Sequence, residues 1–204
     1  MFDCLKAVYL YVYRADAGTT DYLIERSVRR YRRECLHKAS EAPVIIERTA
    51  KGKPFLQEAD GIFVSVTHSG EYCIIGVAPQ ELGIDLQIHD RLHSENGAQA
   101  TERYLRLSKR FFHPDENEYV LRDPDTHFFE VWCAKESYVK YTGNGIDDIF
   151  RSVSILPDVE TEHLQTWSAC DVYFNTVDFQ VGYTLCVCTK GSTSIDLIRC
   201  DTDE

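Results

Sequence analysis

The chain has 204 residues, 44% of them apolar and 27% charged, and a formal charge of −11. That balance excludes a disordered chain and fits one globular domain or two small fused ones, with enough Tyr, Phe and Trp to build a core. The acidic total argues against a chain that holds nucleic acid by neutralising phosphates. No apolar run approaches the ~18 residues that cross a bilayer, so no membrane association is expected.

Residues 6–13 alternate Val8, Leu10 and Val12 with Tyr9, Tyr11 and Tyr13, the period of a strand. The run sits behind Asp3 with Lys6 as its one basic side chain, so no secretory leader is expected. A helix is predicted over 21–37, capped by Thr19 or Thr20, with Leu23, Ser27, Tyr31 and Cys35 four apart on one face. Between Arg26 and Lys38 the chain bears Arg26, Arg29, Arg30, Arg32, Arg33 and Lys38 against Glu34. That basic stripe is either a solvated face or a dock for an acidic partner.

Pro43 opens a strand over 44–49, which ends in the turn Lys51-Gly52-Lys53-Pro54, and further strands are expected at 62–67, 72–78 and 83–88. The polar stretch 89–98 reads as a linker between an N-terminal part, 1–92, and a C-terminal part, 93–204. Beyond it, Ala100, Tyr104, Leu107 and Phe111 mark a helix that His113-Pro114-Asp115 breaks. A longer helix over 128–141 ends at Gly143-Asn144-Gly145, and strands are expected at 151–156, 171–179, 183–188 and 194–199. Each part runs from helix to antiparallel strands, an α+β layout that suggests duplication without a residue-level repeat. The eight cysteines include no CxxC pair and have no His at ligand spacing. They read as small buried hydrophobes of a protein in the reducing cytoplasm, not as a zinc site.

Three patches carry chemistry. Arg48, Lys51 and Lys53 surround a Gly-Pro turn whose backbone suits a phosphate, although a basic turn alone often binds nothing. Ser65-Val66-Thr67-His68-Ser69 places hydroxyls and an imidazole at a strand end, as phosphate ligands or as ordinary structural hydrogen bonders. The third patch is split between Gly83-Ile84-Asp85-Leu86-Gln87, where alternation puts Asp85 and Gln87 on one strand face, and a helix with Trp132, Glu136 and Lys140 on one stripe. If strand and stripe face each other, Asp85 and Glu136 offer two hard carboxylates to Mg²⁺, and Lys140 holds the same phosphates; the plain alternative is a surface ion pair of Glu136 with Lys140. Together the patches point to magnesium-dependent phosphoryl-group chemistry.

With Gly52-Lys53-Pro54, Val66-Thr67-His68-Ser69, Gly83-Ile84-Asp85 and Trp132-x-x-Lys135-Glu136-Ser137-x-x-Lys140 in that order, the chain resembles the 4′-phosphopantetheinyl transferases of the larger, surfactin-synthetase-activating (Sfp) type. The run from Arg48 to Pro54 also resembles the α-aminoadipate branch. The resemblance implies transfer of the phosphopantetheine arm of coenzyme A to a serine of an apo acyl, peptidyl or aryl carrier protein, with release of adenosine 3′,5′-bisphosphate. It further implies a monomer of two similar α/β subdomains related by a pseudo-twofold, each a small antiparallel sheet packed on helices, with coenzyme A between them. Carried over by position, Arg48, Lys51, Gly52 and Lys53 line the nucleotide end, Thr67 and His68 meet the 3′-phosphate region, and Lys140 meets the pyrophosphate. Asp85 and Glu136 hold Mg²⁺, with Gln87 where many relatives have a second acid. Glu136 is the base for the incoming serine and Lys135 helps to place it. A homologue that only binds coenzyme A or a carrier protein, and a magnesium-dependent nucleotide pyrophosphatase, are the competing readings.

Overall fold

A computed structural model describes residues 7–38, 42–57, 61–89, 97–144 and 150–200. The alternating N-terminal run forms β1 (Val8–Arg14), and α1 (Thr20–Glu34) follows with Thr19 as its cap, the Thr19 hydroxyl accepting the Tyr22 N–H. A two-stranded hairpin, β2 (Ile45–Arg48) and β3 (Pro54–Gln57), precedes three seven-residue strands, β4 (Phe63–Ser69), β5 (Tyr72–Ala78) and β6 (Leu82–Ile88). Three helices come next, α2 (Gly97–Phe111), α3 (Pro114–Arg122) and α4 (Pro124–Thr142). The chain closes with β7 (Thr166–Ala169), β8 (Val172–Val177), β9 (Tyr183–Thr189) and β10 (Ile195–Arg199).

Side-chain alternation sorts these elements into four layers. The first sheet runs β10-β1-β5-β4, antiparallel except for the parallel β1/β10 pair; the second, β6-β9-β8-β7, is antiparallel throughout. Tyr9, Tyr11, Tyr13, Ile75 and Val77 face Leu23, Ile24, Val28 and Tyr31 of α1. The opposite face of that sheet, with Val8, Leu10, Val12 and Ile74, meets Ile84, Leu86, Leu185 and Val187 of the second sheet. The far side of the second sheet, with Phe174, Cys186 and Cys188, packs on Val131, Cys133 and Ala134 of α4, which α2 and α3 back. Each fully buried side chain of this kind contributes about 1.5–3 kcal/mol before conformational entropy is set against it. Because α4 lies between a sheet and two helices, it is buried almost all round rather than along one stripe.

Residue 92 and most of the expected linker lie outside the described residues. The sheets themselves interleave the two parts: β6, from the N-terminal part, pairs with β9, and β10, from the C-terminal part, pairs with β1. The break at His113-Pro114-Asp115 is also a start. His113 caps α3 with its ring accepting the Asp115 N–H while Glu116 accepts the His113 N–H, and Pro114 occupies the first turn, where no N–H is needed. Residues 151–156 are irregular, contrary to the strand expected there. Their alternation is real, but the Val153 carbonyl accepts from Lys135 and the Ile155 N–H donates to Glu116, so a buried ion pair replaces a neighbouring strand. Gly143 ends α4 in the left-handed conformation (φ 71°), as its place in the sequence predicted; Gly145 lies outside the described residues. The seven described cysteines are free, and six of them are buried. No described helix is long and apolar enough to cross a membrane.

Candidate active site

The site is built where β6 meets α4. Gly83 makes that approach possible, since a Cβ there would collide with the Ser137 carbonyl and the Tyr141 amide of the helix. Two residues on, the buried Asp85 points from the same face of β6 toward α4, and Lys140 donates to its Oδ1 at 2.7 Å. Gln87, again two residues on, donates from Nε2 to Asp85 Oδ2 at 3.0 Å. The carboxyl of Glu136, one turn before Lys140, is pushed up to about 7, by burial first and by the negative charge of Asp85 second, against the opposing pull of Lys140. Trp132 anchors the preceding turn through Phe112, Phe128 and Phe150.

The edge of β6 is held by side chains. The hydroxyls of Ser65, Thr67 and Ser69, on one face of β4, accept the N–H groups of Ile84, Leu86 and Ile88 at 3.1, 3.0 and 2.9 Å, replacing a backbone ladder at the two-residue period of both strands. Thr67 also donates to Asp85 Oδ1 at 3.3 Å. This threonine, expected beside a phosphate, is therefore a buried orienter of Asp85, whereas His68 on the opposite face is exposed and lines the adjoining cavity.

That cavity, about 420 Å³, gathers Arg48, Lys51, Gly52, Lys53, His68 and Lys140, with Thr20 at the start of α1. Gly52 turns the hairpin at φ 86°, and Thr49 closes it by accepting from Gly52 N–H and Lys53 N–H. Lys51 donates to the Asn144 carbonyl and Lys53 to the Tyr141 carbonyl (2.9 Å) and Glu81 (2.8 Å), so the hairpin's cations meet the negative end of α4. Arg48 pairs with Asp21 in the first turn of α1. Residues from both parts of the chain thus wall one cationic hollow.

Lys135 is not brought there. It is fully buried, 2.8 Å from the equally buried Glu116. Burial pushes the lysine down and the carboxyl up, and their mutual attraction opposes both shifts. Sequence reasoning missed Glu116, whose signal is its position three residues after a cap, and it missed the coupling of Thr67 to Asp85. On the basic stripe of α1, Arg29 pairs with Glu25, Arg30 and Arg33 pair with Glu34, and Arg32 donates to the Ala42 carbonyl, which favours a locally neutralised face.

The residues suit a hard divalent cation. Asp85 and Glu136 offer only oxygen and the Gln87 amide can turn its oxygen inward; Glu136 is raised by burial first and by the charge of Asp85 second, and Mg²⁺ would offset that second cause. A cationic hollow beside clustered carboxylates at the junction of two sheets is the layout of a phosphoryl-group transferase. A family model described as the 4′-phosphopantetheinyl transferase superfamily matches residues 81–188, and the chain belongs to that family of transferases. It is similar to a 4′-phosphopantetheinyl transferase of Bacillus pumilus, 24% identical over 83% of this chain and 73% of that one. It is similar also to 4′-phosphopantetheinyl transferase Sfp of Bacillus subtilis, 29% identical over 67% of this chain and 59% of the relative. A third relative, the L-aminoadipate-semialdehyde dehydrogenase-phosphopantetheinyl transferase of Xenopus laevis, is 30% identical over 50% of this chain and 36% of its own length.

Proposed function

We propose that the protein transfers the 4′-phosphopantetheine group of coenzyme A to a serine of an apo carrier protein, with Mg²⁺, acting as a monomer in the cytoplasm. The observation that carries this reading is the joining of the Arg48–Lys53 hollow to Asp85 and Glu136 through Lys140, which lines the hollow and holds Asp85 at 2.7 Å. Arg48, Lys51, Lys53 and His68 offer charge and hydrogen bonds to the phosphorylated nucleoside of coenzyme A. Lys140 sits between that end and the carboxylates, so it is the residue to hold the pyrophosphate. Asp85, Glu136 and Gln87 would hold Mg²⁺, which would supply positive charge to the pyrophosphate.

Glu136, poised near neutrality, takes the proton of the serine hydroxyl. The freed oxygen bonds to the pantetheine-bearing phosphorus, the pyrophosphate bridge breaks, and adenosine 3′,5′-bisphosphate departs with its new negative charge toward Lys140 and the cationic hollow. Lys135 acts at a distance, holding α4 against α3 through Glu116 so that Glu136 and Lys140 keep their heights along β6.

Mass spectrometry of apo acyl, peptidyl and aryl carrier proteins, incubated with coenzyme A, Mg²⁺ and this protein, tests the reading. A gain of about 340 Da on one serine is expected, the mass of the phosphopantetheine arm. Coenzyme A cleaved with every carrier unmodified would identify a pyrophosphatase instead, and intact coenzyme A with unmodified carriers would identify a binding protein.

A further inference from the structure

A second constellation lies at the other end of α4 from the cleft. His127 and Glu130, three apart on that helix, meet His163 from the segment before β7, and one potential ligand atom from each falls within 4.8 Å of the others. The two ends are distinct sites: nine residues of helix separate His127 from Glu136, roughly 13 Å along the axis.

The chemistry of His127 is decisive. Its Nδ1 lies 2.9 Å from the Tyr119 carbonyl, which can only accept, so Nδ1 carries a proton and, in the neutral ring, Nε2 presents a bare lone pair. That Nε2 is buried, has no hydrogen-bond partner, and belongs to a side chain only 4% exposed. A lone pair taken out of water without a donor is costly, and a metal ion is the partner that would redeem it. The Tyr119 ring stacks on the imidazole at 4.0 Å and fixes its plane. Glu130 is equally set, accepting from the Tyr119 hydroxyl at 2.5 Å and the Leu164 N–H at 3.3 Å while its Oε1 faces His163 Nδ1 at 3.0 Å. Backbone and phenol partners that orient the ligands in this way are what metal sites use behind their first ring of donors. His163 is half exposed and borders a cavity of about 440 Å³, an entry path with Asp123 and Glu162 on its wall beside Arg122, which pairs with Glu160 at 2.7 Å.

We propose that His127, Glu130 and His163 bind one Zn²⁺ ion, with water in the remaining position. Two imidazoles and one carboxylate suit zinc and not magnesium, which takes oxygen donors, so the ion would leave the cleft's Mg²⁺ undisturbed. Closing the three donors on zinc requires the exposed partner, His163, to draw inward. The ion would then tie the segment before β7 to the helix that carries Glu136 and Lys140.

Calorimetric titration of chelator-stripped protein with Zn²⁺, under saturating Mg²⁺, tests this in the wild type, His163→Ala, His127→Gln and Asp85→Ala. One Zn²⁺ per chain is expected, raising the melting temperature, with affinity lowered at least ~10²-fold in His163→Ala and unchanged in Asp85→Ala. Co²⁺ should give the visible absorption of a low-symmetry nitrogen and oxygen site in the wild type and lose it in His163→Ala. His163 is exposed enough that its variant folds, which circular dichroism of the stripped proteins verifies; His127→Gln then repeats the loss from the buried side. Absence of saturable binding in the wild type, equal affinity in His163→Ala, or loss of binding in Asp85→Ala with retention in His163→Ala would each overturn the proposal.

Discussion

At the scale of single residues, burial and one neighbouring acid set the behaviour of Glu136. Glu136 is raised because it is buried beside Asp85, while Lys140 already stands on Asp85. A carboxyl held above its ordinary 4.5 favours its protonated form in the fold, so stability is fully present below about 4.5 and is lost as pH rises through about 7. Glu136→Gln should therefore leave the unfolding free energy unchanged at pH 4 and raise it at pH 8, by on the order of 2 kcal/mol, in denaturant melts of metal-free protein. Equal shifts at both pH values would contradict the assignment. In the wild type, the acid limb of kcat/KM should lie near 7 at low Mg²⁺ and move to lower pH as Mg²⁺ is raised, since metal and proton compete for one carboxyl. Gln87→Glu adds a third acid against Asp85. It should destabilise the metal-free protein and lower the Mg²⁺ concentration that gives half-maximal rate; an unchanged Mg²⁺ dependence would show that Gln87 faces away from the ion.

At the scale of elements, the register between β6 and α4 decides whether Asp85 and Glu136 meet. Gly83→Ala drives a methyl into the backbone of α4 at Ser137 and Tyr141. It should cost about 1–3 kcal/mol in denaturant melts and lower turnover further than the melt alone explains, because the helix must back away from Asp85. A fully active, fully stable Gly83→Ala would show that the approach is looser than described. Strand and helix here were legible in sequence, since alternation in β6 and four-residue spacing in α4 are local patterns that tertiary packing reinforced. The role of Thr67 was not, because its neighbour across the edge is β6, reached by hydroxyls instead of a ladder. Residues 151–156 alternate like a strand, but the groups that satisfy their backbone, Lys135 and Glu116, lie on two helices. His163 stands 33 residues from Glu130, and no local spacing announces that contact.

Across the whole molecule, both parts of the chain wall the cleft. The hairpin from the N-terminal part supplies Arg48, Lys51 and Lys53, the C-terminal part supplies Glu136 and Lys140, and β6 crosses between them with Asp85. The interleaved sheets, β6 with β9 and β10 with β1, keep the halves from separating and so fix the width of the hollow. Binding and reaction should therefore fail separately. The most direct measurement compares coenzyme A affinity and the rate of mass gain on one apo carrier protein for the wild type, Lys53→Ala and Glu136→Gln. Lys53→Ala should weaken coenzyme A more than dephospho-coenzyme A, by roughly 1.5–3 kcal/mol. Glu136→Gln should keep coenzyme A affinity while kcat falls at least ~10²-fold, because an amide can hold an ion but cannot take the serine proton. A Glu136→Gln protein that modifies its carrier at a rate near the wild type would contradict the account.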